Sequence, residues 1–285
     1  MNQHYRFPAY LRLLRFHQPV GGFLLLWPTL WALWLAGNGH PSIKLIFLFT
    51  LGTFLMRGLG CVANDIADRN FDGFVTRTKK RPLVSGEITL KEALILLLFL
   101  CFLALCLVLQ LNYLTIKLSI IGLALALIYP YTKRFTYWPQ WVLGLAFSWG
   151  VPMAFAAQMN KVPAIAWLLF MSASLWPLAY DTIYAMVDRE DDKKIGIKST
   201  ALLFGRNETL FIGIVQCTFI ALLICLGLLL KLHGIFYIAL SVAGGLLIYQ
   251  HYLIKDRKPE HCFKAFLNNN WVGALLFLGF LLGML

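Results

Sequence analysis

The sequence NDIADRNFD at residues 64–72 directly follows an apolar run, and DTIYAMVDREDD at residues 181–192 ends another. A bilayer core requires about 20 apolar residues per helix, and both runs are that long. An acidic stretch at the end of such a run fits a helix that crosses a membrane and reaches the polar interface. These two stretches therefore favour a bundle of membrane-spanning helices whose functional groups lie at one interface.

The composition agrees with that interpretation. The chain has 285 residues, of which 60% are hydrophobic and 13% charged, and its mean hydropathy is +0.72. A soluble domain has about 25% charged residues. We therefore expect an all-α polytopic membrane protein, formed by a single membrane-embedded domain over residues 1–285, in which the first apolar run is a transmembrane helix rather than a cleaved leader. The net charge of +12 is not accompanied by any nucleic-acid-binding motif, so we expect no nucleic-acid partner.

Nine apolar runs are candidates for crossing the hydrocarbon core. They are residues 20–37, 43–63, 92–110, 114–130, 138–157, 163–183, 209–231, 234–254 and 268–285. If the N-terminus is cytoplasmic, 20 of the 25 Lys and Arg and all 13 Asp and Glu fall on the cytoplasmic side. The positive-inside rule predicts this orientation from Lys and Arg alone. The acids are not covered by that rule, so their shared side indicates a function that requires carboxylates.

Both acidic stretches have helical spacing. Residues 64, 68 and 72 would share one face if the second apolar run continues as a helix, and residues 181, 184, 188 and 192 would share another. Hard oxygen ligands favour Mg²⁺, Ca²⁺ or Mn²⁺ over zinc, and Mg²⁺ combines a few carboxylates with phosphate oxygens. We therefore predict a magnesium site between the two faces, holding a diphosphate. The plainer alternative is a patch of interfacial acids that pair with nearby cations. The predicted metal ligands are Asn64, Asp68, Asp72, Asp181, Asp188 and Asp192.

Cations and phenols flank these acids at the same interface. Arg57 falls late in the second run, where an intramembrane charge is costly and indicates a functional group facing the bundle interior. The ordinary alternative is loop charge beside anionic lipid. The candidates for substrate binding are Arg15, Arg57, Arg77, Arg81, Tyr129, Lys133, Arg134, Tyr184 and Lys198.

The motif Asn64-Asp65-x-x-Asp68-x-x-x-Asp72 resembles the first signature of the UbiA superfamily of intramembrane aromatic prenyltransferases. The segment from Tyr184 to Asp192, with Asp181 upstream, resembles the second. Further similarity extends over nearly the whole chain, in LLLWPTLWALW (24–34), RPLVSG (81–86), KIGIKSTALLFG (194–205) and CFKAFLNNNWVG (262–273). These flanking stretches are similar to the branch of the family that acts on 4-hydroxybenzoate.

The resemblance implies nine helices around a central cavity with a cytoplasmic cap and an opening to lipid, in a bacterial inner membrane. It implies a Mg²⁺-dependent transfer of a polyprenyl group from polyprenyl diphosphate to position 3 of 4-hydroxybenzoate, in ubiquinone synthesis. By this resemblance, Mg²⁺ and cations such as Arg69 would stabilise the leaving diphosphate. Asp191 and Asp65 lie off the main stripes and are candidates for proton transfer or orientation, and Arg134 or Arg15 is expected to bind the acceptor carboxylate.

Two alternatives remain at this stage. The acceptor could be another aromatic compound, because residue chemistry alone does not separate hydroxybenzoate from homogentisate or a naphthoate. A membrane transporter is the alternative from another class, but transporters bind their substrates near the bilayer midplane, whereas these acids lie at one interface. The sequence assigns neither the length of the prenyl donor nor an oligomeric state.

Overall fold

The structure is a computed structural model that describes residues 6–74 and 78–284, and the regular structure within those ranges is helical. The helices are α1 (Arg6–Leu13), α2 (Val20–Ala36), α3 (Ile43–Asp68), α4 (Leu90–Val108), α5 (Tyr113–Thr132), α6 (Pro139–Ser148), α7 (Gly150–Met159), α8 (Ala164–Val187), α9 (Arg189–Ile195), α10 (Thr200–Phe204), α11 (Glu208–Leu230), α12 (Gly234–Ile254) and α13 (Pro259–Gly283). Short 3-10 turns occur at Asp72–Phe74 and Gly205–Asn207.

The predicted fold class is confirmed as an all-helical, multi-pass membrane fold. Among the described residues, eight helical stretches are long and apolar enough to span a bilayer, and α2 is a shorter apolar helix of 17 residues. Helices α6 and α7 count together as one stretch because the chain is interrupted only at Trp149. Each of the nine apolar runs therefore corresponds to one of these elements.

Several helix ends differ from the apolar runs. Helix α13 begins at Pro259, nine residues before the predicted start at residue 268, and α3 continues to Asp68, beyond residue 63. Proline at the first helical position is well suited to begin a helix. Hydropathy locates only the part of a helix that contacts hydrocarbon, whereas backbone hydrogen bonding continues into the polar region. Both extensions bring polar residues onto helical ends.

The bundle has a lipid-facing side and a packed side. The apolar windows of α4 and α5 are each only 11% buried, and large apolar side chains are exposed on both, such as Phe102 on α4 and Ile121 on α5. The main core instead lies where α2, α7, α8, α11, α12 and α13 meet, around Trp31 and Trp176. Because α4 and α5 have few protein neighbours, their apolar surface is suited to contact with lipid tails.

Indole hydrogen bonds set the register of the packed side. Trp27 Nε1 donates to Asn270 Oδ1 at 3.0 Å, and Trp31 Nε1 donates to the Gly273 carbonyl at 3.1 Å. From α8, Trp176 Nε1 donates to Asn269 Oδ1 at 2.9 Å. Lipid tails provide no hydrophobic force between helices, so such polar contacts specify how helices pair. The segment LNNNWVG of α13 therefore aligns α2 and α8.

Candidate active site

Both acidic stretches are interrupted at a helix end. Helix α3 ends at Asp68, and Asp72 lies in the following 3-10 turn. Helix α8 ends at Val187, Asp188 forms the junction, and Asp192 belongs to α9. The prediction that each stretch forms one continuous helical face is therefore wrong. Carboxylates stacked along one helix repel, and the observed turns distribute them over separate elements.

The interrupted stretches nevertheless meet at one cavity of about 820 Å³. All six predicted metal ligands line it: Asn64, Asp68, Asp72, Asp181, Asp188 and Asp192. Asp65 and Asp191 are not among its described lining residues, which agrees with their predicted positions off the main stripes. The cavity is thus bounded at one end by carboxylate and amide side chains from α3, α8, α9, the junction between α8 and α9, and the turn after α3.

Asp65 is held by arginines from two distant segments. Its carboxylate is 2% exposed, and Oδ1 accepts a hydrogen bond from Arg15 Nη2 at 2.8 Å. Arg81 Nη1 lies 3.1 Å from the same oxygen and donates to Asp72 Oδ2 at 2.5 Å. The Thr78 hydroxyl donates to the Asp72 carbonyl at 2.8 Å, fixing the turn. Asp65 therefore aligns the loop and the segment before α2 against α3.

Asp68 is the most deeply buried acid of the site, with 1% exposure. The Lys133 ammonium, which follows α5, donates to its Oδ2. Within the described parts of the chain, Asp68 Oδ1 is buried and has no hydrogen-bond partner. Leaving a buried charged acceptor unsatisfied is costly, so this oxygen is suited to receive a cation or a donor from a ligand.

Asp72 lies outside the membrane-spanning helices. Burial raises the pKa of Asp72 above its usual value, and the neighbouring carboxylates of Asp68 and Asp65 raise the pKa further, although Arg81 lowers it. The charged form of Asp72 is therefore less favoured than that of an ordinary aspartate. A bound divalent cation would reverse this effect, because it favours the charged form.

The donor set fits Mg²⁺ together with a phosphate-bearing ligand. In residues 6–74 and 78–284, no group of three or more His, Cys, Asp or Glu side chains converges closely enough to hold a metal ion by itself. Mg²⁺ is commonly bound by one or two carboxylates plus substrate phosphates rather than by a complete protein cage. The unsatisfied Oδ1 of Asp68 and the hard oxygens around it meet that requirement.

The second acidic stretch is more open. Asp181, Asp188 and Asp192 are half-buried and line the cavity. Asp191 Oδ1 lies 3.8 Å from Lys194 Nζ, within the same short helix. The backbone N–H of Lys198 donates to the Lys133 carbonyl at 3.0 Å. That contact joins the segment after α9 to Lys133, the cation that pairs with Asp68.

The predicted substrate-binding residues separate into two groups. Those that line the cavity are Arg15, Arg57, Arg81, Tyr129, Lys133, Tyr184 and Lys198. Arg134 is not among the described lining residues: it donates to the Ala67 carbonyl, and its guanidinium lies 5.2 Å from the Phe71 ring centroid. Arg69 is exposed and donates to the Ile66 carbonyl at 3.0 Å. Arg77 lies outside the described residues.

Arg57 is the cation deepest along α3, and its guanidinium lies against the backbone of Gly21. A Cβ on Gly21 would lie 2.4 Å from Arg57 Nη2. The guanidinium carbon is 6.0 Å from the Phe147 ring centroid. Arg57 Nε is buried without a hydrogen-bond partner in the part of the chain that the structure describes. An unsatisfied buried donor on the cavity wall marks a place for an anionic ligand group.

An apolar arm extends from the acidic end between the lipid-facing helices. Its lining includes Ala104, Leu105 and Val108 of α4, and Ile120 and Leu123 of α5. The cavity therefore combines a charged end with an apolar channel. A ligand with an anionic head and a long hydrocarbon tail fits both parts.

Sequence reasoning missed two residues beside the cavity. Tyr180 lines it, and its buried hydroxyl has no partner among the described residues. Gly21 permits the close approach of Arg57. Two signals in the sequence were available for them: a tyrosine directly before Asp181, and the Gly21–Gly22 pair in an otherwise bulky apolar run.

Comparisons with known proteins agree with this arrangement. The profile of the UbiA prenyltransferase family matches residues 25–282. A 4-hydroxybenzoate octaprenyltransferase of Coxiella burnetii (strain CbuK_Q154) is 55% identical over 282 residues, which cover 99% of this chain and 98% of that protein. A solved apo structure of a UbiA homologue from Aeropyrum pernix K1 has a TM-score of 0.80 and 25% identity, covering 93% of this chain and 98% of that one. A UbiA homologue from Archaeoglobus fulgidus bound to GPP and Mg²⁺ shares the fold at a TM-score of 0.69 and 19% identity, covering 95% and 99% of the two chains.

Proposed function

This chain belongs to the UbiA prenyltransferase family, and we propose that it transfers a polyprenyl group from polyprenyl diphosphate to position 3 of 4-hydroxybenzoate, releasing diphosphate, in ubiquinone biosynthesis. The octaprenyl group is the donor chain named for the Coxiella relative, and it is the donor we propose here. The observation that supports this function is one cavity with carboxylates at its end, a half-buried arginine with a buried Nε in its wall and an apolar arm beside them.

The diphosphate would bind at the acidic end together with Mg²⁺. The oxygen ligands would come from six residues that line the cavity: Asn64, Asp68, Asp72, Asp181, Asp188 and Asp192. When bound, Mg²⁺ neutralises charge on the diphosphate and polarises its bond to the allylic carbon. Lys133, Arg81 and Lys198 line the same end and would stabilise the negative charge that develops on the leaving group.

The acceptor carboxylate would bind Arg57 rather than Arg134 or Arg15. Arg15 is paired with Asp65, and Arg134 is engaged with Ala67 and Phe71. Among the described residues, Nε is buried without a hydrogen-bond partner in both Arg57 and Arg134, but only Arg57 of these two lines the cavity. Arg57 precedes Asn64 by seven residues, which is roughly 10 Å along a helix. A hydroxybenzoate held there by its carboxylate would point its hydroxyl edge towards the acidic end.

The reaction then requires dissociation of the allylic diphosphate and attack by the ring carbon next to the hydroxyl. The apolar arm along α4 and α5 would hold the prenyl chain and exclude water from the allylic cation. The ring proton must leave after attack, and an aspartate of the second stretch would accept it. Asp191 is the proposed proton acceptor. It is not among the described residues that line the cavity.

We also propose the placement of the protein. All nine apolar elements would cross a bacterial inner membrane as a single domain over residues 1–285, with a cytoplasmic N-terminus and the acidic end of the cavity facing the cytoplasm. The distribution of Lys and Arg supports this orientation.

The product of the purified protein tests the function. The protein is incubated with Mg²⁺, octaprenyl diphosphate and, in turn, 4-hydroxybenzoate, homogentisate and a hydroxynaphthoate, and the products are identified by mass spectrometry. We expect octaprenyl hydroxybenzoate substituted next to the hydroxyl. Prenylation of another acceptor with hydroxybenzoate left unmodified would overturn the proposal, and so would the absence of transfer from a folded protein.

Substitution at Arg57 tests the acceptor site separately. We expect Arg57→Gln to raise the KM for hydroxybenzoate by roughly 10- to 100-fold, because a charge-assisted hydrogen bond contributes about 1.5–3 kcal/mol, and to leave the KM for the prenyl diphosphate within about threefold. Arg134→Gln is the matched control, since Arg134 also contacts α3, through the Ala67 carbonyl, but is not among the described lining residues of the cavity. An equal effect of both variants on the acceptor KM would contradict this assignment.

A further inference from the structure

A second cavity, of about 720 Å³, lies beside the first at its charged end. Its described lining contains five cations and one acid, Glu190. The cations are Arg189, Lys193, Lys198, Arg206 and Arg257. These five residues come from α9, the segment after it, the turn before α11 and the loop between α12 and α13. Positive charges from four segments thus converge on one concave surface.

Two of these arginines are held in place by a buried acid. Glu208 is 0% exposed, and its Oε1 accepts a hydrogen bond from Arg257 Nε at 2.6 Å and lies 3.4 Å from Arg189 Nη1. Arg257 Nη2 also donates to the Arg206 carbonyl at 2.9 Å. These contacts use two of the five N–H donors of Arg257. The guanidiniums are therefore fixed before any ligand binds, which reduces the entropic cost of binding.

The backbone contributes to the same arrangement. Arg257 has a φ of 56°, in the left-handed region that residues with a Cβ seldom adopt. The backbone N–H of Arg257 donates to the Ile254 carbonyl at 3.0 Å, so this conformation belongs to the turn that ends α12. From that turn, the guanidinium reaches Glu208 and Arg206. A basic loop whose charges only set membrane orientation would not need a buried acid to bring its arginines together.

The charge balance of the cavity favours an anion. Glu190 in the lining and Glu208 behind it offset two of the five positive charges, leaving a net charge of +3 (5 − 2). Guanidinium groups bind phosphate in a forked geometry, and lysine adds a point charge. The lining also includes Tyr137, above which the Lys198 ammonium lies 5.5 Å from the ring centroid.

The two cavities share a wall. Ile197 and Lys198 line both of them. The Lys198 ammonium donates to the Phe135 carbonyl at 3.3 Å, and its backbone N–H donates to the Lys133 carbonyl. Lys198 is thus placed between the acidic end of the first cavity and the cationic surface of the second.

We propose that the second cavity is a binding site for a phosphate-bearing anion, separate from the magnesium site. The phosphate groups have two sources near this position: free diphosphate, and the headgroup of an anionic phospholipid at the bilayer surface. Recognition is by Arg189, Lys193, Arg206 and Arg257 in either case. The site follows from the charges and contacts of these residues and does not depend on which reaction the first cavity catalyses.

Binding measurements on a charge-reversed protein test this site. Lys193→Glu with Arg206→Glu changes two lining side chains that belong to neither the magnesium site nor the Glu208 contacts. Lys91→Glu with Lys264→Glu is the matched control, because both lysines are exposed and line neither cavity. One arm measures binding of radiolabelled inorganic diphosphate to the purified protein in neutral detergent with EDTA. The other counts phosphatidylglycerol retained by the protein in native mass spectrometry, with phosphatidylcholine as comparison.

We expect the Lys193/Arg206 variant to bind diphosphate about tenfold more weakly or more, or to lose retained phosphatidylglycerol, while the control matches the unmodified protein. Loss in the first arm identifies free diphosphate as the ligand, and loss in the second identifies the lipid headgroup. Unchanged binding in both arms overturns the proposal. If charge reversal prevents folding, Lys193→Gln with Arg206→Gln repeats the test. Prenyl transfer by the unmodified protein is measured separately, so that failure of the proposed reaction is distinguished from failure of this site.

Discussion

The two acidic stretches line the same cavity but are built differently. In the first, Asp65, Asp68 and Asp72 are nearly inaccessible to solvent, and their carboxylates are paired with cations from three other segments. In the second, the four aspartates are half-buried, Glu190 is exposed, and Asp191 pairs with a lysine of its own helix. The first stretch is therefore part of the packing of the bundle as well as of the site. The second is exposed enough to adapt to a ligand.

This difference separates the requirement of an acidic residue for catalysis from its requirement for the stability of the folded protein. Both stretches should be required for catalysis, because both provide ligands for the proposed magnesium–diphosphate complex. The first should contribute more to stability in the absence of a ligand, because its carboxylates are nearly inaccessible to solvent and a buried carboxylate and its cation depend on each other.

The largest expected effect tests the shared requirement. We expect Asp68→Asn and Asp188→Asn each to lower kcat by about 100-fold or more at saturating Mg²⁺, since each removes charge that stabilises the transition state. Their thermal unfolding should differ, with a clear loss only for Asp68→Asn, whose partner Lys133 is left without its carboxylate. Near-normal turnover in both variants would contradict the magnesium site, and equal destabilisation would contradict the comparison.

The next effect concerns the cation of the first stretch. We expect Lys133→Gln to lower the free energy of unfolding by about 2 kcal/mol in EDTA, because it leaves a buried carboxylate without its partner charge. Mg²⁺ should restore more stability to this variant than to the unmodified protein, since the ion can replace the lost charge beside Asp68. Thermal unfolding with and without Mg²⁺ measures both quantities. A variant that is as stable as the unmodified protein in EDTA would show that the ion pair contributes little.

A smaller effect follows from the pKa of Asp72. Burial, with Asp68 and Asp65, raises the pKa of Asp72 in the folded protein, so the folded state binds this proton more tightly than the unfolded state does. The contribution of protonated Asp72 to stability is therefore present at low pH and is lost as the pH rises from the ordinary aspartate value through the raised pKa. In EDTA, we expect the unmodified protein to lose stability relative to Asp72→Asn over that interval. Parallel stability profiles for the two proteins would be inconsistent with a raised pKa.

The smallest effect is expected in the second stretch. The Lys194 side chain is 73% exposed and lies 3.8 Å from the Asp191 carboxylate, and exposed pairs of this kind contribute roughly 0–1 kcal/mol. We expect Lys194→Ala to change the free energy of unfolding by less than about 0.5 kcal/mol and turnover by less than about twofold. A destabilisation as large as that of Lys133→Gln would show that the two stretches are built alike.

Sequence and structure agree most closely where a property is local. The apolar runs predict the helical membrane fold. The position of both acidic stretches at the same membrane interface predicts that Asp68 and Asp188 lie close together, and both line one cavity. The continuous helical faces were wrong because helix ends depend on contacts such as that of Arg81 with Asp72, between loop segments. The position of Arg134 outside the cavity depends on Phe71 and Ala67 in the same way.

The cations show most clearly what a sequence leaves open. A charge in a loop next to an acidic motif is compatible with binding a substrate, a neighbouring carboxylate or a lipid. Burial and partners separate these uses. Arg15 and Arg57 both line the cavity, but Arg15 is paired with Asp65, whereas Arg57 Nε is buried without a partner among the described residues. Neither fact follows from spacing along the chain, because each depends on residues brought together by the bundle.

The indole hydrogen bonds of α2 also constrain how the protein is made. Trp27 and Trp31 find their acceptors 243 and 242 residues later, on α13. During translation, α2 therefore enters the membrane long before its partners have been synthesised, and its indole N–H groups lack these acceptors in the interval. Final closure of the bundle waits for the last helix to leave the ribosome. A ribosome stalled before α13 should hold an open assembly of helices whose acidic cavity is not yet enclosed.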